Sequence, residues 1–490
     1  MEAQLATARL KFYPSSRVSI AGAEFGLAQT SQGNKLVVLA PPGSSQLLDF
    51  RGESSDFGKR SLLLCSLNPE NAASLRKHVG WLRPQCLGLR TSAGMGDRMG
   101  IATPGHVRAI KETNGKVAPI FAQQSIREMQ RTGRAAQQVM DDATWGIFQE
   151  GWQAGVGADA DHLKTEQDID ECVAAGFTQF TLDPGQYVDD RVDNATSPEY
   201  LEQIDHLPQD MWPEATGLSG KVVDIDGYQA TFSRPVLLKA ILKYGRAINH
   251  ILHLNTHLES VCSSRPFELE ISMDETENPT SPEEHIYIAS ELGRHGVKWA
   301  GFAPRFVGSF EKGVEYIGDL GWLESELAVH AAIARQYGPY KLSLHSGSDK
   351  FSIYPLFMHS TQGLTHLKTA GTSYLEALRT LATVDVDLFK EIYIFARQHF
   401  EVDRKSYHIS ARLDVAPQPA EIHDWPALLE QFDARQVLHV TFGSVLTEKM
   451  SDGGWRFYDR VMARLQTYCE LYYDNLVAHF RRHLAPFTSQ

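Results

Sequence analysis

The 490-residue chain lacks the features that mark several large classes of protein. No apolar run approaches the roughly 18 residues of a membrane-spanning helix, and the first residues lack the basic-then-apolar order of a secretory signal. The five cysteines are scattered and form no CxxC pair, which is typical of reduced thiols in a cytoplasmic protein. With 47 basic against 60 acidic residues and no basic block, binding to nucleic acid or to a membrane surface is not expected.

The composition is that of an ordinary folded protein. Hydrophobic residues make up 42% of the chain and charged residues 22%, which excludes a disordered or collagen-like chain. The length predicts one large domain with additions, or two to three domains. Together these features favour a cytoplasmic enzyme.

From about residue 86 onward, short apolar runs alternate with amphipathic helical segments. The clearest helix begins at Ser281, where Pro282 suits the first turn and Glu284 stands at the capping-box position. Consecutive parallel strands need crossover helices, and eight of them close a barrel. The sequence therefore predicts an α/β fold, a (β/α)8 barrel of the TIM type. The eight predicted strands are 86–90, 118–122, 155–162, 177–183, 267–273, 297–303, 340–345 and 366–370.

The segments outside the barrel have different patterns. An insertion at 184–265 separates the fourth and fifth predicted strands. In the C-terminal part, strand-like patterns at 407–413 and 437–442 precede a long helix at 455–484. The predicted division is a β-rich cap at 1–80, a catalytic barrel at 81–400 and a C-terminal helical extension packed on the barrel at 401–490.

Ionisable residues stand at the ends of the predicted barrel strands, where catalytic groups of such barrels lie. Asp161 and His162 close the third strand, and His345 closes the seventh. On the fifth strand, Glu270 and Asp274 belong to a polar row that alternates with apolar residues, which predicts that the row points into the barrel. Glu270 is then either functional or half of a structural ion pair, since an unpaired buried carboxylate is costly. Asp183 ends the fourth strand and Lys368 lies in the eighth.

These strand-end motifs resemble the tagaturonate epimerase family, which interconverts D-tagaturonate and D-fructuronate and has relatives that act on tagatose and fructose. The resemblance extends over roughly residues 86–415. It implies a carbohydrate epimerase with a small ketouronate or ketohexose substrate. The matching segments are Gly94-Met95-Gly96-Asp97-Arg98, Ala102-Thr103-Pro104-Gly105-His106, 159–164, Asp274-Glu275-Thr276, Ala303-Pro304-Arg305-Phe306, Phe310-Glu311-Lys312-Gly313, 345–351 and 368–374.

A fainter resemblance is to metal-dependent class II aldolases. Asp161-His162 and the turn His345-Ser346-Gly347-Ser348 are similar to their Asp-His pair and to their later His-Gly-Gly-Ser-like turn. The resemblance implies His162 and His345 as metal ligands. The third aldolase histidine has no counterpart at 305–319, so the third ligand is Glu311, with Asp274 as its rival.

The reaction that the resemblance implies limits the possible mechanisms. The inverted carbon lies β to the ketone, so its hydrogen is not acidified by the carbonyl. Transient oxidation would need a nicotinamide, which is not expected because the sequence has no GxGxxG fingerprint. Retro-aldol cleavage and re-addition would need a Lewis acid and an acid/base pair. Histidine and carboxylate ligands suit Zn²⁺, Mn²⁺, Ni²⁺ or Co²⁺.

The predicted roles follow from this route. Asp161 and Glu270 are the expected acid/base pair on opposite sides of the sugar. A substrate carboxylate needs a cationic partner, for which Lys350, Lys368 and Arg305 are the candidates. Asp274 and Asp183 are also predicted to bind the substrate. Two alternative functions stay open, a class II-like sugar aldolase and an inactive barrel that binds a partner. Self-association into a homo-oligomer is compatible with each of them.

Overall fold

The computed structural model describes residues 10–31, 33–194, 212–369 and 371–488. Its first part is a six-stranded sheet in the order β1-β3-β4-β6-β5, with β2 paired to β3. All pairs in this sheet are antiparallel. The strands are β1 (Lys11–Phe12), β2 (Val18–Ile20), β3 (Ala23–Thr30), β4 (Gly33–Ala40), β5 (Gly52–Phe57) and β6 (Arg60–Cys65).

Eight parallel strands in the described residues form a closed barrel, in which each strand pairs with the next in the chain and the last pairs with the first. The predicted (β/α)8 barrel with a β-rich N-terminal part and C-terminal helices is confirmed. A hairpin, β11 (Val222–Ile225) with β12 (Tyr228–Thr231), interrupts the series. The barrel strands are β7 (Ser92–Met95), β8 (Ala118–Ser125), β9 (Gly157–Leu163), β10 (Gln179–Leu182), β13 (Glu268–Ser272), β14 (Gly301–Ala303), β15 (Lys341–Leu344) and β16 (Thr365–Thr369).

The predicted first strand, 86–90, is wrong, whereas the other seven predictions overlap observed strands. Residues 86–90 form a turn, and the backbone N–H groups of Leu87 and Gly88 donate to the carboxylate of Glu268. Gly88 has φ +61°, a left-handed conformation that a β-strand does not use. The apolar run therefore crosses the amino-terminal end of the barrel, and the strand begins after it.

Helices follow the barrel strands and continue into the C-terminal part. Ser281 accepts from the N–H of Glu284, as the predicted capping box requires. None of the helices within the described ranges combines the length and apolarity needed to cross a membrane. The helices are α1 (Ser45–Leu48), α2 (Pro69–His78), α3 (Thr103–Lys111), α4 (Ile126–Thr132), α5 (Ala136–Glu150), α6 (Glu166–Ala175), α7 (Arg234–Val261), α8 (Pro282–Arg294), α9 (Leu320–Tyr337), α10 (Tyr354–Thr361), α11 (Thr372–Val384), α12 (Val386–Asp403), α13 (Phe432–Val440), α14 (Phe442–Thr447), α15 (Tyr458–Thr467) and α16 (Cys469–Leu484).

Neither of the two strands predicted in the C-terminal part is observed among its described residues. Residues 407–413 form no strand, and 437–442 lies largely in α13, whose first turn is capped by the side chain of Gln431. A short apolar run is ambiguous between a buried strand and a buried helix, and here burial on all sides favours the helix. The long terminal helix is divided at Tyr468 into α15 and α16, and α16 packs against α3 and α11.

The predicted insertion at 184–265 contains one of the barrel's own helices. α7 packs against α6 and α8 and buries Leu237, Ile241 and Tyr244. Residues 195–211 of the insertion lie outside the described residues. The division of the chain at residues 80 and 400 stays a prediction.

Candidate active site

A buried lysine holds three carboxylates together at the carboxyl ends of the barrel strands. Lys368 Nζ lies 2.9 Å from Asp159 Oδ2, 2.7 Å from Asp161 Oδ1 and 2.8 Å from Glu270 Oε1. Alternate residues of β9, β13 and β16 point inward, which brings the four side chains to one place. Burial opposes the charge, but the three carboxylates raise the pKa of Lys368 well above its ordinary value. The lysine is thus engaged by the protein's own carboxylates, and its role as a substrate contact stays a prediction.

His345 lies between two carboxylates of the fifth barrel strand and its end. Its Nε2 is 2.7 Å from Glu270 Oε1 and its Nδ1 is 3.0 Å from Asp274 Oδ1. Burial lowers the pKa of His345, but Asp274 and Glu270 together raise it to about 9. Ser272 Oγ donates to Asp274 at 2.5 Å. The polar row of β13 therefore points into the barrel, as the alternation predicts.

His162 occupies a strained backbone position at the end of β9. Its φ of +55° lies in the left-handed region, which is uncommon for a residue other than glycine. Nδ1 is 3.0 Å from Asp183 Oδ2, and Lys164 Nζ is 3.1 Å from the same oxygen. Burial lowers the pKa of His162, but the nearby carboxylates, above all Asp161, raise it to about 10. The imidazole faces His345, with 5.0 Å between the ring centroids.

The donor set of Asp161, His162 and His345 fits a divalent metal ion. Each residue offers one ligand atom, and these atoms lie within 4.8 Å of one another. Imidazole and carboxylate donors suit Zn²⁺ and neighbouring transition metals. Asp183 and Asp274 each contact Nδ1 of one imidazole, the kind of outer contact that orients metal-binding histidines. The carboxylates that favour protonated imidazoles favour a cation between them for the same electrostatic reason.

Two predicted site residues lie elsewhere. The carboxylate of Glu311 accepts from Ser410 N at 2.8 Å and from Gln436 Nε2 at 2.9 Å, so it ties the C-terminal part to the barrel. Lys350 Nζ donates to the carbonyls of Glu311 and Ser348 at 2.7 and 3.0 Å, and burial lowers the pKa of this lysine to about 7. Glu311 and Lys350 thus have partners within the protein, and their roles as third ligand and as substrate contact stay predictions. Of the predicted ligands, the structure brings His162 and His345 together, with Asp161 as the third donor.

The remaining predicted residues, Asp183, Asp274 and Arg305, lie around this group. Asp183 is buried, and it also accepts from Gly185 N at 2.8 Å. Burial opposes its ionisation, but His162 and Lys164 hold the pKa of Asp183 below its ordinary value. Asp274 and Arg305 line the outer part of the cleft.

The cleft above the donor set has an inner and an outer part. The outer part shares Arg127, His162, Lys312, Ser346 and Tyr407 with the inner one. No role was predicted for Lys312, Tyr407 or His439, although Lys312 lies in one of the family-like segments. The inner part is lined by Arg98, Ser125, Arg127, Glu128, Asp161, His162, Lys312, Gly313, His345, Ser346, Ser348, Lys368, Gly371, Tyr407 and His439.

Comparison with known proteins gives a consistent result over nearly the whole chain. The model of the tagaturonate epimerase family, UxaE, matches residues 13–487. The tagaturonate/fructuronate epimerase of Thermotoga maritima is 43% identical over 465 residues, which cover 94% of this chain and 93% of that protein.

Solved structures agree with these sequence matches. The native fructuronate-tagaturonate epimerase UxaE from Cohnella laeviribosi is 37% identical with a TM-score of 0.93, covering 99% of this chain and 98% of that one. Its complex with one glycerol is 36% identical with a TM-score of 0.92, at the same coverage. The prediction of an isomerase of the carbohydrate epimerase type is confirmed. With matches of this extent in sequence and in structure, the chain belongs to the tagaturonate epimerase family.

Proposed function

We propose that the protein interconverts D-tagaturonate and D-fructuronate by inverting the carbon β to the ketone, with a divalent metal ion held by His162 and His345. The observation that carries this proposal is the set of two imidazoles and a carboxylate that offers ligand atoms within 4.8 Å at the carboxyl end of the barrel. Membership of the family and the names of the relatives support the choice of substrate.

The proposed route is retro-aldol cleavage and re-addition. The bond between C3 and C4 breaks, the aldehyde fragment turns, and the bond re-forms on the other face of the aldehyde. A bound divalent ion would act as a Lewis acid toward the negative charge that develops on the ketone oxygen. His162 and His345 are held for this task by Asp183 and Asp274, which contact Nδ1 of each ring.

Asp161 and Glu270 are the proposed proton carriers at the C4 oxygen. The base takes the C4 hydroxyl proton as the bond breaks, and the acid returns it after the fragment has turned. Burial opposes the ionisation of Glu270, but Lys368 and His345 hold its pKa well below the ordinary value, so it is a carboxylate at neutral pH. Lys368 Nζ lies 2.7 Å from Asp161 and 2.8 Å from Glu270, so one ammonium positions both groups.

Isotopes test this route, because cleavage never removes the hydrogen on C4. The expected result is full retention of deuterium at C4, a ¹³C isotope effect at both C3 and C4, and no requirement for NAD. A large primary deuterium effect at C4, or NAD that copurifies, would overturn the route while leaving the epimerase activity in place. Escape of labelled aldehyde during turnover would instead indicate an aldolase.

The identity of the metal and the compartment belong to the same proposal. We expect Zn²⁺, Mn²⁺, Ni²⁺ or Co²⁺ to restore activity after removal of metal with a chelator. Activity on D-tagaturonate that persists after complete removal of metal would contradict a metal-dependent reaction. A cytoplasmic location is proposed because Cys65, Cys86, Cys172, Cys262 and Cys469 are all free thiols.

A further inference from the structure

The cleft is acidic at its inner end, whereas its outer end has charges of both signs. The cations of the outer end are Arg127, Lys312 and Arg305, and its carboxylates are Glu275 and Glu277, with Asp274 between the two ends. A substrate whose ketone faces the histidines is expected to turn an anionic group away from the inner end, because like charges repel most strongly where water is scarce. The carboxylates around the inner end are Asp159, Asp161, Asp183, Glu270 and Asp274.

Lys312 differs from the other basic side chains of the inner part. Its Nζ donates to Ser346 Oγ at 2.6 Å, and within the described ranges no ion pair joins it to a carboxylate. In contrast, Arg98 donates to Glu128 through Nε at 3.0 Å and Nη2 at 2.7 Å, and Arg127 pairs with Glu275.

The charge of Lys312 is therefore available to a ligand. Burial and the neighbouring Arg127 lower the pKa of this lysine, and an anion bound beside it would stabilise its charged form. The hydroxyl of Ser346 accepts from Lys312, so its own hydrogen can be donated to the same anion. Ser346 directly follows His345 in the chain, which places this pair of donors beside the proposed reaction centre.

We propose that Lys312 and Ser346 bind the C6 carboxylate of the substrate, and that this contact makes the enzyme prefer ketouronates to neutral ketohexoses. The inference rests on the proposed function, since it takes the substrate to be a six-carbon ketouronate. A ketouronate has its ketone and its carboxylate toward opposite ends of the carbon chain. The ketone then lies at the histidines and the carboxylate at Lys312, away from the inner carboxylates.

Arg305 is the rival cation. It lines the outer part of the cleft together with Lys312, and its buried Nε has no hydrogen-bond partner among the described residues. It does not line the inner part, which contains His345 and Lys368. A carboxylate on a substrate held at the histidines is therefore expected to reach Lys312 first.

Specificity constants for D-tagaturonate and D-tagatose distinguish the two cations. Lys312→Met should lower kcat/KM for D-tagaturonate by about 10- to 100-fold, mainly through KM, because it removes a charge-assisted hydrogen bond. The constant for D-tagatose should stay within about threefold of the wild type. Arg305→Met should leave the ratio of the two constants close to that of the wild type. The exposed Lys405 lies beside Ser406 and Tyr407 of the outer part, so Lys405→Met controls for loss of distant charge.

Two results would overturn the inference. One is an equal loss on both sugars in Lys312→Met, which would indicate a general structural or catalytic role. The other is loss of the uronate preference in Arg305→Met with the preference intact in Lys312→Met. Lys312→Arg keeps the charge and should retain most of the preference.

Titration calorimetry with the same two sugars separates this inference from the proposed function. The wild type should bind D-tagaturonate more tightly than D-tagatose, and the difference should disappear in Lys312→Met. If the wild type epimerises neither sugar, the proposed function fails, but the binding difference still decides the role of Lys312. A binding preference that persists in Lys312→Met would disprove that role.

Discussion

Two groups of the same composition lie in different parts of this molecule. Asp161, His162 and His345 face the cleft, whereas Asp349, in the loop after β15, lies against His479 and His483 of α16. Each group brings ligand atoms of an aspartate and two imidazoles within 4.8 Å of one another, close enough for the three residues to hold one metal ion. Composition and distance alone therefore do not distinguish the two groups. The hydrogen-bond and ion-pair partners of each side chain do distinguish them.

In the group at α16, most polar side-chain atoms have hydrogen-bond partners within the protein. Asp349 N donates to His483 Nε2 at 2.9 Å, and His483 Nδ1 lies 3.0 Å from the carbonyl of His479. Arg435 Nη2 donates to Asp349 Oδ2 at 2.9 Å. Burial lowers the pKa of both His479 and His483, so these imidazoles are neutral.

In the group at the cleft, the surroundings of the two imidazoles favour their protonated form and not their neutral form. Carboxylates contact both imidazoles and raise their pKa to about 10 and about 9. Each aspartate already has a cation beside it, Lys368 for Asp161 and Arg435 for Asp349. The groups differ at the imidazoles, because Asp183, Glu270 and Asp274 contact those of the cleft and favour a cation there. We infer that the first group is functional and that the second anchors the loop after β15 to α16.

The largest expected difference between the groups is in metal content. His162→Ala should lose its bound metal and abolish epimerisation, because an open metal site depends on each of its ligands. Metal analysis of the purified protein and turnover of D-tagaturonate measure this, and His345→Ala should behave in the same way. His479→Ala is the matched control and should keep both metal and turnover. A His162→Ala protein with stoichiometric metal and normal turnover would exclude this residue as a ligand.

The next effect concerns proton transfer. Glu270→Gln keeps the shape of the side chain but removes its titratable group, so turnover should fall by about 10²- to 10⁴-fold while metal remains bound. Asp161→Asn sharpens the assignment, because loss of metal would identify Asp161 as a ligand, and a slow enzyme that retains metal would identify it as acid or base. Near-normal rates in both variants would refute the proposed acid/base pair.

A smaller effect on metal binding is expected from substitution of Asp183, which contacts His162. Asp183→Asn should weaken metal affinity by about 10- to 100-fold, because the outer partner of a ligating histidine orients its ring. Competition with a chelator of known affinity measures the change. Asp189→Asn, at an exposed ion pair with Arg191, provides the control. Unchanged affinity in Asp183→Asn would mean that His162 does not need this contact.

The smallest effect on catalysis is expected for the group of Asp349, His479 and His483. Substitution there is expected to change the stability of the protein. Asp349→Asn should reduce the free energy of unfolding by about 3 kcal/mol at pH 7, because it leaves the buried Arg435 without its carboxylate. Burial opposes the ionisation of Asp349, but its charged surroundings, above all Arg435, hold its pKa below the ordinary 3.8. Its stabilisation is therefore present above about pH 4 and is lost as the pH falls below that value.

Urea unfolding at pH 7 and at successively lower pH measures this prediction. The difference in the free energy of unfolding between the wild type and Asp349→Asn should become smaller as the pH falls. Turnover at pH 7 should change by less than about threefold. A difference that does not narrow would contradict the charged pair with Arg435. Loss of bound metal in Asp349→Asn would contradict the purely structural role of the group.

The sequence alone was sufficient for the barrel and for the centre of the candidate site, because the signals involved are local. The alternation on β13 is set by the two-residue period of a strand, which sends Glu270 and Asp274 to the same face. Ser281 and Glu284 start α8 by hydrogen bonds within a single turn. His162 and His345 were found because the carboxyl ends of barrel strands meet at one face.

Only the tertiary structure decided where the other polar side chains point and what they contact. Glu311 binds Gln436, 125 positions further along the chain, and no local pattern encodes that contact. Lys350 is enclosed by carbonyls of a neighbouring loop, and Lys312 faces the cleft because two loops meet there. The run at 437–442 became helical because packing on all sides offset its strand-like pattern. Local periodicity determines strands and helices, whereas the partners of a charge depend on segments that meet only after folding.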